Sequence, residues 1–262
     1  AAGVIACVGF NQRHVPNHEG IRDFLQDKRL VMATIVSNGT LESHSVKHTR
    51  TEDLDGPGNR VWAASAAWSG TTVVEAGIHQ LDTMRYWAGD VDWVRADYVH
   101  RDDDDIEDGG DNPYAYSVTF GFAGGLVFNL LLSRLRKTFY GDGYNDLMWD
   151  HGHLKIEAGA PVAYYYEGPY PPSTNPSVEQ LRHQVPVPNQ GRDGTHHINE
   201  CFVRAVASND ETLMRNTFRS SMNSHAAVLA ANASDQLGGE KIDLNAFLHD
   251  DTYARFRAKP SN

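Results

Sequence analysis

Cysteine is nearly absent from the 262 residues. Cys7 and Cys201 are too few for a disulfide scaffold or a cysteine-based metal ribbon. So low a count suits a reducing, cytoplasmic compartment. Cationic residues are scarce too: 23 Lys+Arg stand against 34 Asp+Glu, a formal charge of -11. A net-acidic surface repels phosphate backbones, and no basic run offers a local exception, so nucleic acid is excluded as a partner. No apolar stretch reaches membrane-spanning length, so a membrane is excluded as well. GxGxxG, GxxxxGK[ST], HExxH, CxxC and GxSxG are all missing. Nothing in the sequence therefore cradles a nucleotide, and no metal site is assigned. By itself the chain is expected to bind no NAD(H) with useful affinity. It lacks an initiator Met and opens at Ala1 inside an apolar segment, which points to processing or truncation upstream.

What is present reads as an α+β fold, a mostly antiparallel open sheet with helices on one face. Residues 1–10 (AAGVIACVGF) read as a buried strand left over from a parallel, Rossmann-like unit. Residues 11–17 read as a turn containing Pro16. A helix over 18–27 carries Ile21, Phe24 and Leu25 on one side. Strands are expected at 30–38, 91–99, 114–122, 126–134, 138–144 and 153–157, with weak alternation over 42–48. The FAGGL segment, 122–126, gives a hairpin. Residues 51–60 and the acidic 100–113 read as loops. The run Asp102 to Asp105 lacks the alternating spacing of a calcium loop and reads as solvated. Proline-rich 168–190 reads as a surface excursion. Helices at 195–208 and 213–236 close the fold, and the last twenty residues read as peripheral. The expected division is a crossover at 1–17, an α+β domain at 18–240 and an extension at 241–262.

The helix expected over 71–88 carries the chemistry. Glu75, His79 and Asp82 stand at i, i+4 and i+7, within roughly 60° of one another on an α-helix. A carboxylate one turn from an imidazole fixes its tautomer and raises its basicity, which makes a general base for a hydroxyl group. Gly77 costs about 1 kcal/mol in a helix interior, so another backbone or a ligand is expected close by. A competing reading has Thr72 and Glu75 forming a capping box, with Glu75 doing no more than satisfying the helix start.

Four motifs occur in one order: VGFNQRHVP at 8–16, GIHQLDTMRYWAG at 77–89, IED at 106–108 with VTFGFAGGL at 118–126, and HHINECFVRAVASND at 196–210. Together they resemble the Gfo/Idh/MocA oxidoreductases, the glucose–fructose oxidoreductase and inositol dehydrogenase family. The resemblance implies the substrate domain of a nicotinamide-dependent sugar or polyol oxidoreductase. It implies that His79 is the acid/base and that Glu75 takes a carboxylate place usually held by Asp. Asp82 matches a structural position. Asn11 and Arg13 would lie at the cofactor–substrate junction. NAD or NADP would belong to the complete enzyme, on a dinucleotide-binding domain with a Gly-rich loop and a catalytic Lys that these residues do not contain.

His197 is a further candidate for substrate contact. With Glu200, Glu75 and His79 it could also build a His/carboxylate metal site, although an ordinary exposed helix start explains the pair. Trp62, Trp68 and Tyr164 to Tyr166 could stack on a sugar ring or pack internally. Leu130 to Leu132 make both faces of one strand apolar, so a homo-oligomer through the sheet face is expected. Two other functions remain open: a cofactor-free carbohydrate lyase, epimerase or hydrolase using His79 and Glu75, and a non-catalytic scaffold or assembly subunit.

Overall fold

The computed structural model describes residues 4–40, 64–106, 110–135 and 140–257. The readings for 42–48, 51–60 and Trp62, and most of IED at 106–108, lie outside the described residues. So do 136–139, where one expected strand begins.

Among the described residues nine strands form one sheet: β1 Leu30–Thr40, β2 Val91–Val99, β3 Ala115–Phe122, β4 Val127–Leu135, β5 Asp142–Trp149, β6 Gly152–Glu157, β7 Ala160–Tyr165, β8 Arg182–Gln184 and β9 Ile242–Asp243. Their order is β8-β7-β6-β5-β1-β4-β3-β2-β9. Of these pairings β1–β4 is parallel and the others are antiparallel. The helices are α1 Pro16–Leu25, α2 Ala66–Ser69, α3 Ile78–Ala88, α4 Val178–Leu181, α5 Gly194–Ser208, α6 Phe218–Gln236, α7 Leu244–His249 and α8 Ala254–Arg257.

Register explains why the alternating strands fold this way. Val94, Phe120, Phe128, Ala33, Leu147, Leu154 and Ala163 are successive partners across β2, β3, β4, β1, β5, β6 and β7. All seven are buried. One residue further along, the row Arg95, Thr119, Asn129, Thr34, Asp146 and Lys155 forms the opposite face. Period-two patterning thus gives one apolar and one mostly polar face. The buried face of β4 is Phe128, Leu130 and Leu132, while Leu131 is exposed on the other.

Small residues let α6 lie close to β2. Ala226, Ala227, Ala230, Ala231 and Ala233 are buried. β9 pairs with β2 only at Trp93 and Val94. Beyond that point Ser234 Oγ accepts from the Ala96 amide at 2.9 Å, and Asp235 Oδ1 accepts from the Tyr98 amide at 2.8 Å. The helix therefore satisfies an edge that β9 leaves short.

Three expectations are corrected. Residues 4–10 are not a buried parallel strand: Cys7 makes a single antiparallel bridge to Thr217, and Val4 is 76% exposed. The run is apolar, but the start of α6, not a sheet, receives it. Residues 11–17 are not a plain turn. A 3-10 helix spans Asn11–His14, and Pro16 opens α1, where its missing N–H costs nothing. The C-terminal stretch is not peripheral: Ile242, Leu244 and Phe247 enter the core. The proline-rich segment also contains α4 and β8.

Candidate functional site

The helix at 71–88 does not begin as a regular α-helix. Val73–Gly77 form a π turn that runs into α3. Such a turn inserts one residue into the i→i+4 ladder and often marks a functional site. It also changes the angular relation of Glu75 to His79 that α-spacing predicts. Thr72 is itself helical, with φ -62°, and its side chain makes no capping bond, so the capping box does not form. Gly77 is where β4 approaches. A Cβ there would lie 3.3 Å from both Leu130 Cδ2 and Leu132 Cδ1. The close neighbour expected from the sequence is thus a sheet, not a ligand.

His79 opens on a cleft of about 300 Å³ lined by Gln12, His18, Ile35, Val36, Ser37, His79, Gln80, Thr83, Trp87, Gly143 and Asn145. The 3-10 helix, α1 and α3 supply one wall, and β1 and β5 the other. Phe10 meets the His79 ring edge-on at 5.8 Å. Burial holds the His79 imidazole below its usual range, against the pull of the Asp82 charge. His79 is therefore neutral at neutral pH, as a proton acceptor must be.

Among these lining residues only His79 was a candidate from the sequence; Gln80, His18 and Trp87 were not. Gln80 Oε1 is buried with no hydrogen-bond partner among the described residues. Such an atom is costly unless a donor meets it. His18 Nδ1 bonds the Gln12 carbonyl at 3.0 Å, which puts the proton on Nδ1 and leaves Nε2 as the acceptor. Burial lowers its pKa too. Trp87 Nε1 donates to the His18 carbonyl at 3.0 Å and its ring packs edge-on to the imidazole.

The other predicted residues lie elsewhere. Arg13 is gripped by Asp82: Nε and Nη2 reach its two carboxylate oxygens, each at 2.7 Å. Asp82 also accepts from Ser224 Oγ at 2.9 Å and faces Arg85 at 3.6 Å. Asn11 Nδ2 donates to Thr195 Oγ1 at 2.8 Å, tying the 3-10 helix to α5. His197 meets His14, Nδ1 to Nδ1, at 3.2 Å. Glu200 pairs with exposed His196 at 3.5 Å. Asn11, Arg13, Glu75 and His197 are not among the cleft's lining residues. Only adjacency in the fold could have separated Gln12 and Gln80 from their neighbours in the motifs.

Residues 33–152 match the family model described as the GFO/IDH/MocA C-terminal domain. No curated protein matches the chain. Among solved structures, an oxidoreductase from Agrobacterium radiobacter, in complex with NAD+, L-tartaric acid and magnesium, is 13% identical with a TM-score of 0.64. The match covers 93% of this chain and 66% of that one. An aldose-aldose oxidoreductase from Caulobacter crescentus, complexed with glycerol, is 12% identical with a TM-score of 0.68, covering 92% and 64%. A UDP-N-acetylglucosamine 3-dehydrogenase from Acidithiobacillus ferrooxidans is 14% identical with a TM-score of 0.61, covering 89% and 62%. At these identities the likeness is one of fold. The chain spans just under two thirds of each neighbour's length. No helix among the described residues is long and apolar enough to cross a membrane.

Proposed function

We propose, from the premise that residues 33–152 of this chain are a GFO/IDH/MocA C-terminal domain, that the chain is the substrate-binding part of an oxidoreductase acting on a secondary hydroxyl of a sugar or polyol. The observation that carries this is the cleft: a neutral, half-buried His79 beside the unpartnered Gln80 oxygen, with Gln12, Ser37, Asn145 and Trp87 around them. A polyol offers one hydroxyl to the imidazole and another to the amide. Trp87 supplies an apolar surface of the kind that covers a sugar's C–H face. Substrate contact is thereby assigned to these side chains in place of Asn11, Arg13 and His197, whose polar atoms face other partners.

In such a reaction a nicotinamide takes the hydride. The described residues do not fit its pyrophosphate. The α1 N-terminus opens with Pro16, which has no N–H to offer, and Arg13 is held by Asp82. The Asp193 carboxylate caps α5 and would repel a phosphate. The proposal accordingly places NAD or NADP on a separate dinucleotide-binding domain. This chain's own part is to orient the substrate and to take its hydroxyl proton on His79.

The test is binding. The His79 ring resonances, assigned with His79→Gln, are followed while the chain is titrated with inositol, glucose, glycerol and their deoxy analogues. Saturable shifts with polyhydroxyl compounds, reduced for the deoxy forms, are expected. Gln80→Leu should weaken that binding by about tenfold, the worth of one good hydrogen bond. Shifts equal for hydroxyl and deoxy compounds, or none at any concentration, would sink the assignment.

A homo-oligomer through the open sheet face belongs to the same proposal. Met32, Leu131 and Tyr144 are exposed there, 40%, 37% and 57% respectively. They flank the polar row of Thr34, Asn129 and Thr119. Light scattering should give at least twice the chain mass at micromolar concentration, and Leu131→Lys should return a monomer. A monomer without that change rules out the sheet-face assembly.

A further inference from the structure

Where α5 packs on the 3-10 helix lies a cluster that joins His14 to two residues of α5, the nearer of them 183 positions along the chain. His14 is fully buried, and its Nδ1 lies 3.2 Å from Nδ1 of His197. Cys201 is one helical turn beyond His197; its Sγ lies 3.6 Å from Nε2, the other ring nitrogen, so Cys201 must turn toward Nδ1 to share an ion held there. One ligand atom from each of the three falls within 4.8 Å of the other two. We propose that His14, His197 and Cys201 form a binding site for one divalent transition-metal ion of the zinc class.

Geometry supports the choice of ion. Zinc binds imidazole nitrogen at about 2.0–2.1 Å and thiolate sulfur at about 2.3 Å, so a tetrahedral site has N···N edges of about 3.3 Å and N···S edges of about 3.5 Å. The His14–His197 separation already has the first value. Imidazole with thiolate selects zinc or cobalt over magnesium or calcium. Three protein ligands with a fourth place for solvent make a known zinc arrangement.

The surroundings orient the ligands. Asn216 donates through Nδ2 to the Val8 carbonyl, so its Oδ1 is the acceptor toward His14 Nε2 at 3.2 Å. That bond puts the His14 proton on Nε2 and aims a bare Nδ1 at the cluster, the outer-shell arrangement typical of metal-bound histidine. Burial, stronger than the Asn216 hydrogen bond that opposes it, pushes His14 down to about 4, and His197 is lowered as well. Both rings are therefore neutral at neutral pH. Arg192 and Arg215 lie nearby, and the Glu19 carboxylate pairs with both and offsets one of their two charges. Binding is a proton exchange without redox change: the ion takes the Cys201 thiolate, and the thiol proton leaves to solvent.

The cluster is separate from the His79 cleft, so its test does not depend on turnover. The reduced, metal-free chain is titrated with Co2+ and then with Zn2+. One equivalent of cobalt should bind, with the visible bands of a tetrahedral ion and a near-ultraviolet thiolate-to-cobalt band, and zinc should displace it. Cys201→Ser, on a partly exposed helix position, should abolish the thiolate band. It should weaken zinc by more than the roughly 10–100-fold that outer-shell losses cost. His197→Gln should weaken zinc similarly, with circular dichroism unchanged. A six-coordinate cobalt spectrum without the thiolate band, or zinc affinity unaltered in Cys201→Ser, would show a hydrogen-bonded chain only and overturn the site.

Discussion

Asp82→Ala is expected to destabilise the fold by about 3–5 kcal/mol, a large part of the roughly 5–15 kcal/mol that holds a domain together. Asp82 is 1% exposed and Arg13 8%. The bidentate bond between them joins the 3-10 helix to α3, two segments 69 residues apart. Arg13 also donates to the Arg215 carbonyl at 2.9 Å, so the same guanidinium reaches the loop before α6. Removing the carboxylate leaves a buried cation without its counter-charge and deprives Ser224 of an acceptor. The penalty comes from stranding Arg13, not from any large intrinsic value of the pair. Replacing both partners, Arg13→Met with Asp82→Leu, should therefore recover most of the loss. Urea unfolding with an unchanged m-value measures it. A loss under about 1 kcal/mol would mean that the pair behaves like a surface ion pair and that solvent reaches Arg13.

Much of the sheet was legible because its strands are two-sided. In β3 and β4, and in β2 from Val94 on, a buried apolar residue recurs every second position, and FAGGL turns the chain between β3 and β4 as a hairpin signal should. β7 was missed because Pro161, Val162 and Ala163 are buried in succession and give no alternation. The tail was missed because Ile242, Leu244 and Phe247 are few and spaced among polar residues, yet each fills a place beside β2 and α6. The opening segment failed in the other direction. Its apolar run satisfies a strand template, but pairing stops at one bridge, Cys7 with Thr217.

The site divides along the same line. His79 stood out because Glu75, Gly77 and Asp82 surround it at helical spacing. The π turn could not be read from a period fixed at 3.6. Gln80, one residue on, carries no pattern of its own, and its significance comes from an oxygen buried beside a cleft. Asn11 and Arg13 were drawn from the right segment, but it is Gln12 between them that reaches the cleft. His14 and Cys201 had no sequence signal, because their relation exists only once α5 has docked on the 3-10 helix.

On the proposed function, His79→Ala is expected to lower kcat of the oxidoreductase that this chain would form with a dinucleotide-binding domain by about 10²–10⁴-fold, the usual worth of general acid–base help. Stability should change little, because the ring borders a cleft and its loss opens no sealed cavity. The pH profile separates this role from a structural one. Burial disfavours the imidazolium, so the folded pKa lies below the ordinary value near 6.5. The base form then persists as pH falls through 6.5, and kcat/KM should decline only below it, through the lowered pKa. In His79→Ala that acid limb should vanish along with most of the rate, and added imidazole should restore part of it. Glu75→Gln should cost less and keep the limb, since Glu75 is absent from the cleft lining and acts, if at all, through the π turn. The opposite outcome would be decisive: if His79→Ala unfolds the chain while turnover per folded molecule and the acid limb are preserved, His79 is a packing residue against Phe10. The hydroxyl proton would then have to pass to His18, the other neutral imidazole in the cleft.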